Sequence, residues 1–340
     1  MLYPMKFEPR ILHKMWGGTK IHERFGTPLP PEGNIGESWE LYDFPPGVIE
    51  GSRDWVSAKV ANGPLRGKTV HQLVLEHQKE LMGDVPLESP HGQFPLLIKF
   101  LDAKEDLSIQ VHPDRKYAAA HPEAFLKSEA WFIVQSDPRA FLYKGLKPGV
   151  SREKFRAGIL EGHCERQLNS VPVKAGDCFY LPSGTVHAVG KGILAAEVQT
   201  PSDTTFRVYD FNRVDPGTGK KRKLHVEEAM ECIHFGEENQ PSPYPSPGGP
   251  GEGTRGGPLV RCEFFEMDEV RVAGKTERAL AAGQPVIWMI LEGEVSVKTR
   301  DLPEAQRFRR GETVLFPAAM SGAVFSTGGT CRYLEIKFPQ

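Results

Sequence analysis

One stretch, Gly176 to His187, restricts the fold of this chain more than any other. It reads G-D-C-F-Y-L-P-S-G-T-V-H and places glycine, proline and histidine at the intervals G-x5-P-x-G-x2-H. The first two residues favour a tight turn, the apolar run Cys178–Leu181 favours a buried strand, and Pro-Ser-Gly favours a second turn. The pattern predicts that the second turn delivers the His187 imidazole into the mouth of a β-barrel.

A second stretch, Pro95 to Asp114, alternates between apolar and polar segments. Its two apolar runs, Leu96–Leu101 and Leu107–Val111, are rich in β-branched and aromatic residues, and the polar segment Asp102–Asp106 separates them. The pattern predicts two short strands joined by a tight connection.

The second of these strands carries polar side chains on one face. Ser108, Gln110 and His112 alternate with apolar residues, and successive side chains of a strand point to opposite faces. Gln110 and His112 are therefore placed to hold one metal ion between them. Pro113 is expected to end the strand and leave His112 facing open space. The alternative is a half-buried edge strand whose polar face meets only water.

A third strand, predicted from Glu129 to Val134, begins with a carboxylate and follows a lysine two positions earlier. The period of a strand puts Lys127 and Glu129 on the same face. Taken alone, this pair is explained equally well as surface charge.

Four of these side chains together make a possible metal site. They offer one amide oxygen, two imidazoles and one carboxylate, from Gln110, His112, Glu129 and His187. Nitrogen and oxygen donors without a thiolate suit one zinc ion per chain or, less selectively, manganese, iron or cobalt, and they leave room on the ion for water or substrate.

Charge and cysteine content exclude several classes of protein. The 340 residues include 42 Lys and Arg against 44 Asp and Glu, so a net charge of -2 provides no basic surface for nucleic acid. Five scattered cysteines without a C-x-x-C pair argue against a disulfide scaffold and suit a reducing cytosol. We find no signal peptide and no apolar run of about 18 residues, and therefore expect a cytoplasmic protein that does not bind membranes.

Helices are predicted where apolar residues recur at helical spacing or where capping residues mark a start. These segments are Val70–Met82, ending at Gly83; Arg115–Lys127, as a loop or short helix interrupted by Pro122; Ser151–Leu160, with Ser151 as N-cap; and Val226–Cys232.

The chain after residue 235 divides into two parts. Residues 236–257 are rich in Pro and Gly and are predicted to form a linker or mobile loop. Residues 258–340 repeat a strand-turn-strand plan at Ile287–Val297, and Gly311–Pro317 resembles Gly176–Pro182, but no histidine follows His234. We expect residues 1–235 to form a metal-binding catalytic domain with helical insertions. Residues 258–340 are expected to form a degenerate barrel without metal ligands that covers sheet edges of the first.

Several motifs together resemble a known enzyme family. The pattern at Gly176–His187 is similar to the second motif of the cupin superfamily and matches each fixed position except the final asparagine. The stretch P-L-L-I-K-F-L-D-A-K-E-D-L-S-I-Q-V-H-P-D, the K-S-E-A-W and G-T-V-H-A segments and P-S-D-T-T-F-R-V-Y-D-F resemble type I mannose-6-phosphate isomerases in their shorter bacterial form. The similarity runs from about Phe7 to Phe211 and continues more faintly to the C-terminus.

This resemblance implies a cupin zinc enzyme that interconverts mannose 6-phosphate and fructose 6-phosphate. It implies zinc ligands at Gln110, His112, Glu129 and His187, active-site lysines at Lys99 and Lys127, an acidic residue at Asp203, an arginine at Arg207 and a serine near the phosphate at Ser108.

Such a reaction moves a proton between C1 and C2 through an enediol or enediolate. A divalent cation can stabilise the negative charge that develops on O1 or O2. Lys127, with Lys99 as the second candidate, is expected to take and return the proton, because a nearby metal ion and a second lysine can lower a lysine pKa. Arg207 is expected to stabilise the anionic intermediate or to hold the phosphate.

Several of these residues have competing explanations. Lys99 could equally place its amine in solvent, and Asp203 could be a turn residue that bonds to its own backbone. Glu197, on a later strand, is expected to support a ligand or a substrate hydroxyl. Three residues near the N-terminus are interpreted as structural or solvent-facing, namely His13, Glu37 and Glu40.

We therefore expect a mainly β protein with two cupin-type antiparallel β-barrels of the jelly-roll kind and a few helices. The leading function is a metal-dependent isomerase of hexose 6-phosphates, with a small-molecule sugar phosphate as partner, in a monomer or homodimer. Two alternatives stay open. One is a non-catalytic sugar-phosphate-binding or regulatory cupin, and the other is a cupin oxygenase that uses the same ligands for iron.

Overall fold

The computed structural model describes residues 2–49, 51–87, 91–215, 218–236, 257–280, 282–300, 302, 304–320 and 322–339. Within these residues the chain is mainly β, as predicted, and neighbouring strands pair in antiparallel fashion. All but the two end residues of the linker predicted at 236–257 lie outside the described residues.

The strands of the first part of the chain are β1 (Met5–Lys6), β2 (Arg10–Leu12), β3 (Glu37–Leu41), β4 (Asp43–Phe44), β5 (Val56–Ser57), β6 (Leu97–Ala103), β7 (Ile109–Val111), β8 (Glu129–Ser136), β9 (Phe141–Leu146), β10 (Leu168–Pro172), β11 (Cys178–Leu181), β12 (His187–Val189), β13 (Ile193–Gln199) and β14 (Phe206–Tyr209). The C-terminal strands are β15 (Pro258–Arg261), β16 (Glu266–Val272), β17 (Thr276–Ala279), β18 (Val286–Glu292), β19 (Glu294–Lys298), β20 (Gln306–Arg309), β21 (Thr313–Phe316), β22 (Val324–Thr327) and β23 (Cys331–Lys337). The helices are α1 (Lys20–Phe25), α2 (Val70–Met82), α3 (Arg115–Ala120), α4 (Arg152–Leu160) and α5 (Val226–Cys232).

Two sheets form the first barrel, in the orders β11-β8-β13-β6-β3-β2 and β10-β9-β12-β7-β14. Their inner faces share one apolar core, with Leu101, Trp131 and Ala195 from the first sheet and Leu142 and Val189 from the second. The predicted strands β6 and β7 are both present. They lie in different sheets, so their short connection crosses from one layer of the barrel to the other.

The second barrel contains the sheets β1-β21-β18-β23-β16-β15 and β17-β22-β19-β20. Its core is largely aromatic and includes Trp288, Phe308, Phe316, Phe325 and Tyr333. Strand β1 comes from the start of the chain and pairs with β21. The N-terminal strand therefore completes a sheet of the C-terminal barrel.

The two barrels and α2 share the largest apolar cluster of the described residues. Phe100 and Phe132 contribute the outer face of one six-stranded sheet, and Met289 and Ile336 contribute the outer face of the other. Strands such as β6, β8 and β18 are buried on both faces because each face packs against a different layer. The second barrel covers a sheet face of the first, whereas we expected it to cover sheet edges.

Four of the five helices described have the predicted positions, and α1 was not predicted. Thr69 and Gln72 form a capping box that starts α2, and the helix ends before Gly83, whose φ of 63° favours glycine. Ser151 caps α4 as predicted, and α3 ends before Pro122. Helices α4 and α5 cover the outer face of the five-stranded sheet. Of the helices described, none has the length and apolar character to cross a membrane. All five cysteines are free, in agreement with the prediction that the chain is not a disulfide scaffold.

Candidate metal centre and active site

Three side chains suited to metal binding converge inside the first barrel. His112 follows β7, Glu129 begins β8 and His187 begins β12. One donor atom of each lies within 4.8 Å of the other two. Glu129 Oε1 is 3.1 Å from His187 Nε2, and Glu129 Oε2 is 3.4 Å from His112 Nε2. All three side chains are buried, so His112 faces the barrel interior and not the open space that the sequence led us to expect.

Strand pairing brings Gln110 to the same cluster. Strands β7 and β12 pair so that Gln110 lies opposite His187, and the two Nε2 atoms are 3.4 Å apart. Rotating the Gln110 side-chain amide by about 180° exchanges its nitrogen and oxygen and would place the oxygen next to His187 Nε2. The structure therefore brings together all four residues that the sequence singled out as metal ligands.

Backbone carbonyls orient both imidazoles. His187 Nδ1 is 2.8 Å from the Thr185 carbonyl oxygen, and His112 Nδ1 is 3.0 Å from that of Thr204. When each Nδ1–H donates to its carbonyl, the Nε2 lone pair of each ring points to Glu129. Burial, assisted by the charge of Lys127, lowers the pKa of His112 to about 3, so this ring is neutral at neutral pH.

Buried polar atoms of this cluster lack hydrogen-bond partners among the described residues. They are His112 Nε2 and both carboxylate oxygens of Glu129, of which Oε2 has an ion-pair contact with Lys127 but no hydrogen bond. Leaving such a group unpaired costs about 1–3 kcal/mol, so native structures rarely do it without a reason. Coordination of a divalent ion would satisfy these atoms, and the donor set of imidazole, carboxylate and amide suits such an ion. The residues present therefore fit a metal centre.

Lys127 lies against this cluster. Its Nζ is 3.0 Å from Glu129 Oε2, and both side chains are buried, so the explanation of this pair as surface charge was wrong. Burial alone would raise the pKa of Glu129. The Lys127 ammonium and the contacts with His112 and His187 together outweigh this effect and hold the pKa well below its ordinary value, so Glu129 is an anion.

Lys99 lies on β6 in the same barrel. Its Nζ is 3.3 Å from Glu197 Oε1 on β13 and 3.3 Å from Glu37 Oε2 on β3. Only 6% of Lys99 is exposed, so the alternative of an amine in solvent was wrong. The predicted supporting residue Glu197 contacts this lysine and accepts a hydrogen bond from Trp131 Nε1 at 3.2 Å.

Glu37 is a site residue that the sequence reasoning missed. It is buried beside Lys99 and accepts a hydrogen bond of 2.7 Å from Trp39 Nε1. The alternation of E-S-W-E-L puts Glu37 and Trp39 on one face of β3, but nothing local indicates that this face meets β6. Glu40 is also buried, in agreement with the structural interpretation, and His13 is exposed to solvent.

Arg207 and Ser108 are in direct contact. Arg207 lies on β14 opposite Gln110, and its Nε donates to Ser108 Oγ at 3.2 Å. Its Nη1 donates to the backbone carbonyl of Lys223 at 3.1 Å, a contact that side-chain chemistry could not have indicated. Burial lowers the pKa of Arg207 to about 10, so the guanidinium stays charged at neutral pH.

Asp203 lies on the loop between β13 and β14 and is exposed to solvent. The surrounding protein and the charge of Glu37 raise its pKa, and the charges of Lys99 and Lys127 oppose this shift. The carboxylate is therefore within electrostatic reach of both lysines, on the open side of the site.

Known proteins resemble this chain over nearly its whole length. The sequence profile of the phosphomannose isomerase type I catalytic domain matches residues 5–149. A mannose-6-phosphate isomerase from Streptococcus mutans is 34% identical over 319 residues, which cover 93% of each chain. The chain belongs to the type I phosphomannose isomerase family.

Two further similar proteins support the assignment to the phosphomannose isomerase family. The probable mannose-6-phosphate isomerase GmuF from Bacillus subtilis is 42% identical over 235 residues, 68% of this chain and 69% of that protein. The crystal structure of the mannose 6-phosphate isomerase from Bacillus subtilis superposes with a TM-score of 0.80 at 33% identity, over 98% of this chain and 99% of that one. The predicted cupin-type fold is thereby confirmed.

Proposed function

We propose that the protein interconverts mannose 6-phosphate and fructose 6-phosphate in a metal-dependent reaction. One observation carries the proposal, namely the buried cluster of His112, Glu129 and His187 beside the buried lysines Lys127 and Lys99. An aldose-ketose isomerase must stabilise negative charge on a substrate oxygen and must move a proton between two carbons. The names of the relatives from Streptococcus mutans and Bacillus subtilis support the same substrate pair.

Gln110, His112, Glu129 and His187 would hold the ion. This donor set suits zinc or, less selectively, manganese, iron or cobalt, and we propose zinc because it is the commonest occupant of mixed histidine and carboxylate sites. A bound divalent ion would supply Lewis-acid polarisation of a sugar oxygen.

Side chains of the protein carry out the remaining steps of the reaction. The positive charge of a bound divalent ion would favour the neutral amine of Lys127. In that form Lys127 Nζ takes the proton from C2 of the aldose and returns it to C1, while the proton of the C2 hydroxyl passes to O1, through an enediol or enediolate. Its contact with Glu129 supports this role, because it places the amine beside the residues that would polarise the sugar. Arg207 and Ser108 bind the anionic part of the substrate, since the guanidinium is charged and lies 3.2 Å from the serine hydroxyl. Asp203, on the open side, accepts a hydrogen bond from a sugar hydroxyl.

We also propose that the two barrels have different roles. Residues 1–235 carry catalysis, and residues 258–340 form a structural barrel. Among the described residues, the cluster in the first barrel is the only group of His, Cys, Asp and Glu with metal-binding spacing. We place the protein in the cytoplasm, where free cysteines are stable, as a monomer or homodimer.

The test is turnover of mannose 6-phosphate by zinc-loaded protein in deuterated water. We expect fructose 6-phosphate to form with deuterium entering at C1 or C2, a chelator to stop the reaction and zinc to restore it. Glu129→Gln should lose zinc and turnover, whereas Glu123→Gln, at an exposed side chain, should keep both.

Other outcomes would replace the proposal. Full turnover after complete removal of metal would refute metal dependence. Binding of the sugar phosphate without turnover under zinc, manganese or cobalt would indicate a regulatory binding protein. Oxygen consumption by the iron-loaded protein would indicate an oxygenase.

A further inference from the structure

Four neighbouring strands of the first barrel carry a row of paired side chains. Trp39 of β3 lies opposite Lys99 of β6, Lys99 lies opposite Glu197 of β13, and Glu197 lies opposite Trp131 of β8. Glu37, two residues before Trp39, shares its face of β3. Lys99 is therefore in the middle of a row whose members come from four different strands.

Each carboxylate of this row is held from two sides. Glu37 Oε2 is 3.3 Å from Lys99 Nζ and accepts a hydrogen bond of 2.7 Å from the Trp39 indole. Glu197 has its own contact of 3.3 Å with Lys99 and accepts from the Trp131 indole at 3.2 Å. All of these side chains are buried, and a buried ammonium without its anions would be costly. The row therefore fixes the position of the Lys99 ammonium.

The two carboxylates differ in charge. Burial and the nearby Glu129 raise the pKa of Glu197 to about 8. For Glu37, burial acts in the same direction, but the charges of Lys99 and Lys14 outweigh it and lower the pKa to about 2. Glu37 is therefore the partner of Lys99 that is ionised at neutral pH.

We propose that Glu37 is a positioning residue that keeps Lys99 as a fixed cation, so that Lys99 donates a hydrogen bond to an anionic oxygen of the sugar phosphate and takes no proton from it. This rests on the proposed function. It assigns the proton transfer to Lys127, and it gives the second lysine of the site a different role.

The charges that face Lys99 support this assignment. Burial alone would lower the pKa of Lys99, but four acidic side chains raise it well above its ordinary value. They come from β13, β3, the start of β8 and the loop before β14, and they are Glu197, Glu37, Glu129 and Asp203. Glu37 and Glu129 are anions at neutral pH, whereas Glu197 adds its charge only as the pH rises towards about 8. A lysine in this setting stays protonated over the pH range in which enzymes work.

Glu37→Gln tests the proposal because it removes the charge and keeps the size. The amide oxygen can still accept from Trp39, so the fold should be retained. We expect kcat to fall at least about tenfold with zinc content unchanged, and the alkaline limb of the pH-rate profile to move to lower pH, because Lys99 loses its ionised partner. Glu37→Asp, which keeps the charge, should move the alkaline limb back towards that of the wild type.

Lys14→Met is the matched control. Lys14 Nζ lies 3.5 Å from Glu37 Oε1, so this variant removes the other cation beside Glu37 and leaves Lys99 in place. We expect its kcat and pH profile to match the wild type. A purely structural role of Glu37 would lower the melting temperature of Glu37→Gln but leave the kcat and pH profile of the folded enzyme unchanged, and that result would overturn the proposal.

A second measurement does not depend on turnover. Acetylation of Lys99 by acetic anhydride, followed by peptide mass spectrometry at about pH 9, reports the fraction of neutral amine. We expect Glu37→Gln to increase the rate at Lys99 about tenfold or more and Lys14→Met to leave it unchanged. If wild-type protein has no isomerase activity but Lys99 responds in this way, the proposed function fails and the positioning role stands. If active enzyme shows no change at Lys99, the positioning role fails alone.

Discussion

Replacing Glu40 by Gln should stabilise the protein, and the stabilisation should grow as the pH rises. Glu40 lies on the face of β3 opposite Glu37, is 6% exposed, and accepts a hydrogen bond from the Ser38 hydroxyl. Burial raises its pKa from 4.5 to about 8, and the charge of Glu312 in the second barrel adds to the shift. The folded protein therefore holds Glu40 protonated at a pH where the unfolded chain ionises it.

The sign and size of the change in stability follow from this difference in pKa between the folded and unfolded states. A carboxyl whose pKa is higher in the folded state contributes stability fully below the unfolded value of 4.5, and loses it as the pH rises through about 8. One pKa unit corresponds to about 1.4 kcal/mol, so between about pH 5 and pH 7.5 the wild type should lose about 3 kcal/mol relative to the variant. For 340 residues this is about 4 °C in melting temperature, because the unfolding entropy is about 2.1 cal/mol/K per residue.

Thermal unfolding of wild type and Glu40→Gln at these two pH values is the assay. The Gln oxygen can still accept from Ser38, so the variant should match the wild type within about 1 kcal/mol at about pH 5. Glu123→Gln, at an exposed carboxylate, is the control and should show no pH-dependent difference. A difference between Glu40→Gln and wild type that is the same at both pH values would refute the reasoning.

Three further substitutions act on the proposed catalytic centre. Lys127→Met should retain zinc and lower kcat by about 10²–10⁴-fold, because it removes only the group that moves the proton. Metal analysis and a turnover assay check this, and a normal rate would exclude Lys127 as the proton-transfer residue. His187→Ala should lose metal and activity together, and a variant that still binds one zinc per chain would contradict the ligand assignment. Gly184→Ala should destabilise the protein by about 1–2 kcal/mol or more and weaken zinc binding in a competition titration, because Gly184 has a φ of 82° and an added Cβ would lie 2.5 Å from His234 Nδ1. Unchanged melting temperature and zinc affinity in Gly184→Ala would show that the turn tolerates a side chain.

Local chemistry made part of the site predictable. The turn residues of Gly176–His187 specify β11 and β12 because glycine permits the positive φ that these turns use and proline fixes φ, whatever the partner strands are. Strand alternation placed Gln110 and His112 on one face, and Lys127 and Glu129 on another, without knowledge of the partner strands. The helical spacing of apolar residues located α2, and the N-cap Ser151 located α4, for the same reason.

Contacts between strands that are far apart in the sequence could not be predicted. Glu37 could not be recognised as a partner of Lys99, because the contact exists only when β3 pairs with β6 across a large separation in sequence. The burial of His112 and Lys99 also depends on the facing sheet, which no local pattern specifies. The separation of β6 and β7 into two sheets is a property of the barrel and not of either strand.

The pairing of β1 with β21 has a consequence for how the molecule is made. Met5–Lys6 leaves the ribosome long before its partner Thr313–Phe316. The N-terminal strand therefore stays unpaired while the residues of the first barrel are synthesised, and it can dock only after β21 has been made. A fusion partner attached before Met5 would consequently be joined to the same barrel as one attached after the final strand.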